Sequence, residues 1–141
     1  TEMKWTLPGG VEHTLKNHAG KVVILDFWAT YCGPCREEIP HLNSIRAKHG
    51  PDNIVIIGLN VGGDEDLKLV PEFTKTTKID YPIALPEDAL NQFIFATDSS
   101  IPQTAVFDRS GRLVKKFIGY GPTVKDELDR TVEIALSRPA A

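Results

Sequence analysis

Cys32 and Cys35 are the whole thiol content of this 141-residue chain. They stand in the stretch Trp28-Ala29-Thr30-Tyr31-Cys32-Gly33-Pro34-Cys35. Two cysteines separated by two residues can hold a metal, staple a fold or carry electrons. A structural zinc needs four ligands. The four histidines, His13, His18, His41 and His49, lie at none of the usual finger spacings, so no metal is expected. A disulfide that closes so small a ring constrains the unfolded chain very little, which argues against a purely structural staple. A one-cysteine peroxidase would place Thr three positions ahead of its cysteine, where this chain has Ala29. The residue types therefore favour a redox dithiol that needs no cofactor.

Position sharpens this reading. Val22-Val23-Ile24-Leu25-Asp26-Phe27-Trp28 is a β-branched, apolar run that reads as a strand buried on both faces. A helix should begin near Pro34, since proline suits a first turn. Cys32 then lies at a helix N-terminus, where unpaired N–H groups and the helix dipole favour a thiolate. Its pKa should fall below the free-cysteine value of about 8.5. Cys35 lies one turn further in and is shielded. Cys32 is accordingly expected to attack a substrate disulfide, and Cys35 to resolve the mixed disulfide. Asp26 breaks the apolar run. Burial should raise its pKa, and a neutral-pH carboxyl beneath the sulfurs can exchange a proton with Cys35. The plain alternative is a carboxyl hydrogen-bonded to backbone or water. For Pro102, which opens a strand after a loop, physics alone makes an ordinary trans bond the default.

The elements that must position these residues follow from the pattern. Lys4 to Leu7 and Val11 to Leu15 flank Pro8-Gly9-Gly10 and suggest a hairpin. The helix from Pro34 runs to about His49, with Pro40 expected to kink it. Asn53 to Val61 is a second buried strand, and Gly62 to Glu65 a turn. Leu67, Val70 and Phe73 give a helical face to about Thr77. Tyr81 to Leu85 and Glu87 to Phe95 read as a strand and a short helix. Thr104 to Asp108 and Leu113 to Ile118 form a hairpin around Gly111. A last helix is expected to be capped by Thr123 with Asp126 three residues on. This order implies one α/β domain over residues 1–141, with a mixed sheet covered on both faces.

Composition excludes other classes. Hydrophobic residues make up 41% and charged residues 25%, ordinary for a globular protein. A net charge of −3 and the lack of any Lys/Arg run give no nucleic-acid surface. The apolar runs are far too short to span a membrane. Thr1-Glu2-Met3-Lys4 does not read as a signal peptide, so the chain is expected to be either cytoplasmic or a mature or trimmed domain.

Taken together, the strand into WATYCGPC, Pro40 five residues beyond Cys35, and Ile101-Pro102-Gln103-Thr104 resemble the thioredoxin family, from roughly Val11 to the last helix. The resemblance implies the thioredoxin fold, a cis Pro102 packed against the active-site disulfide, and Asp26 as the family's buried acid. It further implies that Trp28, Tyr31, Gly33, Pro34, Ile101 and Pro102 meet the substrate, with the Ile101 backbone pairing an extended segment. Two features narrow it. About forty residues, 62–100, fill a gap that is short in a plain thioredoxin, and residues 1–20 add an N-terminal hairpin. With Cys35-Arg36-Glu37-Glu38-Ile39-Pro40 and Val106 to Arg112, these are similar to the TlpA/ResA-type branch, extracytoplasmic and often membrane-tethered thiol–disulfide oxidoreductases of bacteria. Any membrane link would run through an anchor outside this chain. Protein substrates with cysteines or disulfides, an upstream reductant protein and a role of the cytochrome c maturation type are the partners and task this implies.

The chain departs from that branch at Tyr31, where Trp is commoner, and at Asp26, where many relatives carry Asn. Some relatives use a Glu in the turn after the second core strand. Here Asp64 and Glu65 occupy that turn and are expected to act as helix caps. Gly33-Pro34 resembles the reducing end of the superfamily, near thioredoxin's about −270 mV. A general cytoplasmic thioredoxin and a non-catalytic peptide-binding module of the same fold remain the alternatives.

Overall fold

The computed structural model describes residues 3–140. Thr1, Glu2 and Ala141, which belong to the expected 1–141 domain and its 1–20 extension, lie outside the described residues. The order of elements is β1 (Lys4–Thr6), β2 (Glu12–Thr14), a 3-10 turn (Leu15–His18), β3 (Val22–Trp28), α1 (Gly33–His49) and β4 (Ile54–Asn60). Then come α2 (Gly63–Leu67), α3 (Val70–Thr76), β5 (Ile83–Pro86), α4 (Asp88–Ile94), β6 (Gln103–Phe107), β7 (Leu113–Ile118) and α5 (Pro122–Ser137). The seven strands form one mixed sheet in the order β2-β1-β5-β4-β3-β6-β7.

β3 is an interior strand between β4 and β6, and its near-continuous apolar run suits burial on both faces. All seven of its residues are buried. It pairs parallel with β4 and antiparallel with β6. Alternation along the strand then sends side chains to two cores. Val22 and Ile24 meet Leu42 and Ile45 of α1 and Leu128 and Val132 of α5. Val23, Leu25 and Phe27 meet Trp5 of the hairpin and Leu90 and Ile94 of α4. Burying each such side chain is worth roughly 1.5–3 kcal/mol, so the strand that delivers the cysteines is firmly fixed. By the same alternation Asp26 and Trp28 share the face that α1 covers.

Pro40 lies inside α1, which runs through it to His49. Several other local expectations change. The expected turn at Gly62 to Glu65 instead opens α2 at Gly63. The single helix expected to Thr77 is two, α2 and α3, because Pro71 has no N–H to give the Leu67 carbonyl one turn back and suits the first turn of a new helix. Thr123 does not cap α5. The helix starts one residue earlier with Pro122 at its first position, and Gly121 holds the cap position without a side-chain bond. The β6–β7 hairpin turns at Gly111, whose φ of +79° only glycine adopts without strain.

Candidate active site

β3 ends at Trp28 and α1 begins at Gly33, so the four residues between them present Cys32 at a helix N-terminus. Cys32 is the N-cap residue, and its Sγ accepts a hydrogen bond from the Cys35 N–H at 3.2 Å. Pro34 lies in the first turn. The two sulfurs are joined as a disulfide, with Cα atoms 5.3 Å apart. Cys32 keeps 7% of its surface exposed and Cys35 none. An incoming thiolate therefore reaches the Cys32 sulfur and not the Cys35 sulfur.

The residues expected around the pair divide into a rim and a floor. Tyr31 is 69% exposed and forms the rim, and Gly33 and Pro34 are exposed beside it. Ile101 is half-buried and packs against the disulfide, and the Ile101-Pro102 bond is cis. Trp28 is only 1% exposed. It lies in the floor with the disulfide, its ring 5.3 Å from that of Phe73. Gly58 makes room for it, since a Cβ there would stand 3.2 Å from the Trp28 Nε1 and 3.0 Å from Tyr81. The Pro102 carbonyl accepts the Gly119 N–H at 2.8 Å. The next residue, Tyr120, is tied to α1 through His41, whose Nδ1 lies 2.9 Å from the Tyr120 hydroxyl. The opposite ring nitrogen meets Asp129 at 2.6 Å. The cis-proline loop is thus moored to the helix that carries Cys35.

A pair of acids is buried between β3 and α1. Asp26 is fully buried, opposite Gly58 on one side and Thr104 on the other. Neither of its oxygens finds a donor among the described residues. Burial, and then the Glu38 carboxyl facing it, push its pKa well above the usual carboxylate range. Glu38, on α1 one turn after Cys35, is also fully buried. It accepts the Thr104 hydroxyl at 2.6 Å. Burial pushes it up to about 7, although the bond from Thr104 works the other way. A shared proton best satisfies the two facing carboxyl oxygens that Thr104 leaves without a donor, so the acids titrate as a pair. Sequence reasoning missed Glu38. The signal was present, because Cys35, Glu38, Ile39, Leu42 and Ile45 form one buried stripe of α1.

The acids after β4 do not join this pair. Asp64 and Glu65 fall in the first turn of α2 and are exposed, and the buried member of that run is Asp66. No group of three or more His, Cys, Asp or Glu side chains able to hold a metal ion occurs among the described residues. None of the described helices is long and apolar enough to cross a membrane.

A thioredoxin-type sheet with a CxxC disulfide at a helix N-terminus defines a thiol–disulfide oxidoreductase. Comparison with known proteins agrees: the Redoxin family matches residues 4–132, and the chain belongs to it, as a ResA-type member of the thioredoxin superfamily. The chain is 32% identical over 125 residues to thiol-disulfide oxidoreductase ResA of Geobacillus kaustophilus, covering 88% of this chain and 68% of that protein. It is 28% identical over 126 residues to the thioredoxin-like protein YneN of Bacillus subtilis, covering 89% and 71%. A crystal structure of a thiol:disulfide interchange protein of the thioredoxin family from Chlorobium tepidum superposes with a TM-score of 0.76 at 28% identity. That match covers 97% of this chain and 95% of the other.

Proposed function

We propose that this protein is a dithiol reductant of cysteine-containing proteins outside the cytoplasm, with Cys32 as nucleophile, Cys35 as resolving thiol and the Asp26–Glu38 pair as proton acceptor. The observation that carries this is the Cys32–Cys35 disulfide at the start of α1, the helix that also carries buried Glu38, next to β3 with buried Asp26. In the forward direction the Cys32 thiolate attacks one sulfur of a substrate disulfide. That bond breaks, the leaving sulfur departs as a thiolate, and a mixed disulfide forms. Cys35 then gives its proton to the acid pair and attacks the Cys32 sulfur. The second substrate sulfur leaves and takes up a proton, and the Cys32–Cys35 disulfide remains. An upstream dithiol protein restores the reduced form by the same exchange.

A carboxyl pair with raised pKa suits this step, because its ionised member can accept the proton near neutral pH and return it within one cycle. Tyr31, Gly33, Pro34, Ile101 and Pro102 form the surface that meets the substrate, and Trp28 supports that surface from below. Residues 1–141 act as one domain in this reading, with 1–20 an extension and about 62–100 an insertion. No cofactor takes part. The ResA-type likeness supports an extracytoplasmic setting and a cytochrome c maturation type of task. Gly33 and Pro34 support the reducing direction, since neither adds a cation that would stabilise the Cys32 thiolate and make the couple oxidising. Equilibration against glutathione and dithiothreitol buffers tests the direction. A midpoint near thioredoxin's about −270 mV is expected, and one near DsbA's about −120 mV contradicts the reductant reading.

A further inference from the structure

The turn that carries Cys32 is held from outside. Ala29 to Cys32 closes through the Cys32 N–H to the Ala29 carbonyl at 3.2 Å. This leaves the amide and hydroxyl of Thr30 at the corner of the turn, and Thr30 is only 6% exposed. Buried donors need partners. A single carboxylate, that of Asp66 in α2, takes both. The Thr30 N–H donates to Oδ2 at 3.0 Å, and the Thr30 hydroxyl donates to Oδ1. Asn60, at the end of β4, adds its Nδ2 to the same Oδ2 at 2.9 Å. Burial alone would raise the Asp66 pKa. The bonds from Thr30 and Asn60 outweigh it and hold the group below its ordinary value, so it is ionised at neutral pH. Gly62 leaves the space this needs, because a Cβ there would stand 2.3 Å from the Asp66 Cβ.

The remaining polar group of Thr30 is held from the same side. Its carbonyl accepts from the Arg36 guanidinium at 2.9 Å. That guanidinium lies 5.6 Å over the Phe73 ring of α3, and Phe73 in turn packs on Trp28. The α2–α3 segment thus supplies the partner of Thr30 directly, through Asp66, and steadies the second partner through Phe73.

We propose that Asp66 is a positioning residue for thiol–disulfide exchange: its carboxylate fixes the Ala29–Cys32 turn and so sets the Cys32 sulfur on the N-terminus of α1. This rests on Cys32 being the attacking thiol. The chemistry makes a small displacement costly, because both the thiolate stabilisation and the in-line approach of the sulfurs depend on where Sγ sits.

The test uses the full chain as wild type, Asp66→Ala, Asp66→Asn and Thr30→Val. Two quantities are read: the pKa of Cys32 from the pH dependence of iodoacetamide alkylation of the reduced protein, and the exchange rate with oxidised glutathione. Losing a negative charge near a thiol lowers its pKa, whereas losing its place at the helix N-terminus raises it. Asp66→Asn keeps an oxygen for the two N–H donors, and the Thr30 hydroxyl can turn to accept from the new amide. Its Cys32 pKa should stay or fall, with exchange near the wild-type rate. Asp66→Ala should raise the Cys32 pKa towards the free value and slow exchange by roughly tenfold or more. Thr30→Val, which keeps the amide bond but loses the hydroxyl, should fall between. An Asp66→Ala protein that melts earlier yet keeps the wild-type thiol pKa and exchange rate overturns the proposal. Should Asp66→Ala not fold, wild-type values in Thr30→Val overturn it equally. A wild type that alkylates normally but reduces no disulfide sinks the oxidoreductase reading instead, while the thiol pKa values still decide the role of Asp66.

Discussion

Replacing Glu38 with Gln should make the protein more stable at neutral pH, by about 3 kcal/mol. In the folded protein the Glu38 carboxyl is raised from 4.5 to about 7, chiefly by burial. The unfolded chain therefore gives up this proton first. Folding stability falls as pH rises from about 4.5 to about 7 and is level above. Each pKa unit is worth about 1.4 kcal/mol, so the full penalty is about 3 kcal/mol at pH 7 and above. Gln is neutral, nearly the same size, and can still accept the Thr104 hydroxyl that Glu38 accepts at 2.6 Å. Denaturant unfolding of the disulfide forms of both proteins, repeated across pH, reads the difference. The two should agree near pH 4. Glu38→Gln should then pull ahead through the window and lead by up to about 3 kcal/mol at pH 8, or roughly 10 °C in Tm. A Gln variant that is less stable at pH 8, or a difference that ignores pH, would refute the account of a strained buried acid.

Three further outcomes, on two variants, follow from the same geometry. Asp26→Asn should slow reduction of protein disulfides by roughly a hundredfold at neutral pH and flatten the pH profile of the resolving step, read by stopped-flow fluorescence of Trp28. The same variant should be more stable than wild type above the ordinary carboxylate range, since the buried Asp26 pKa is raised. Tyr31→Ala removes a side chain that is 69% exposed. Its Tm should barely move, while KM for a protein disulfide rises and the rate with a small disulfide holds.

Much of this site was legible along the chain because its parts are local. A buried strand, a short turn and a helix opened by Pro34 bring Cys32 and Cys35 together within one short stretch of chain, and β3 spans the expected Val22 to Trp28. Asp26 was legible for the opposite reason, as a carboxyl that the apolar run around it makes anomalous. Glu38 hid beside Glu37 in what reads as a charged solvent face. Only its spacing from Cys35 and Leu42 betrays that it points inward. Asp66 carried no local signal at all. Its role comes from a contact 36 residues away in sequence, with Thr30. The packing of Trp28 against Phe73 becomes visible only once α3 is folded over it. The α2–α3 break and the start of α5 turn on prolines, Pro71 and Pro122, which bear on helix boundaries as strongly as the apolar stripe does.

The division of labour between the two cysteines is the core of the mechanism, and trapping tests it most directly. Cys35→Ser, reduced and then offered a disulfide-containing protein such as insulin, should accumulate a mixed disulfide through Cys32, seen as a slower band on a non-reducing gel and located by peptide mass. Cys32→Ser should trap nothing, because the Cys35 sulfur has no exposed surface. A mixed disulfide that forms through Cys35 at a comparable rate, or none with either variant, would contradict the exchange mechanism at its first step.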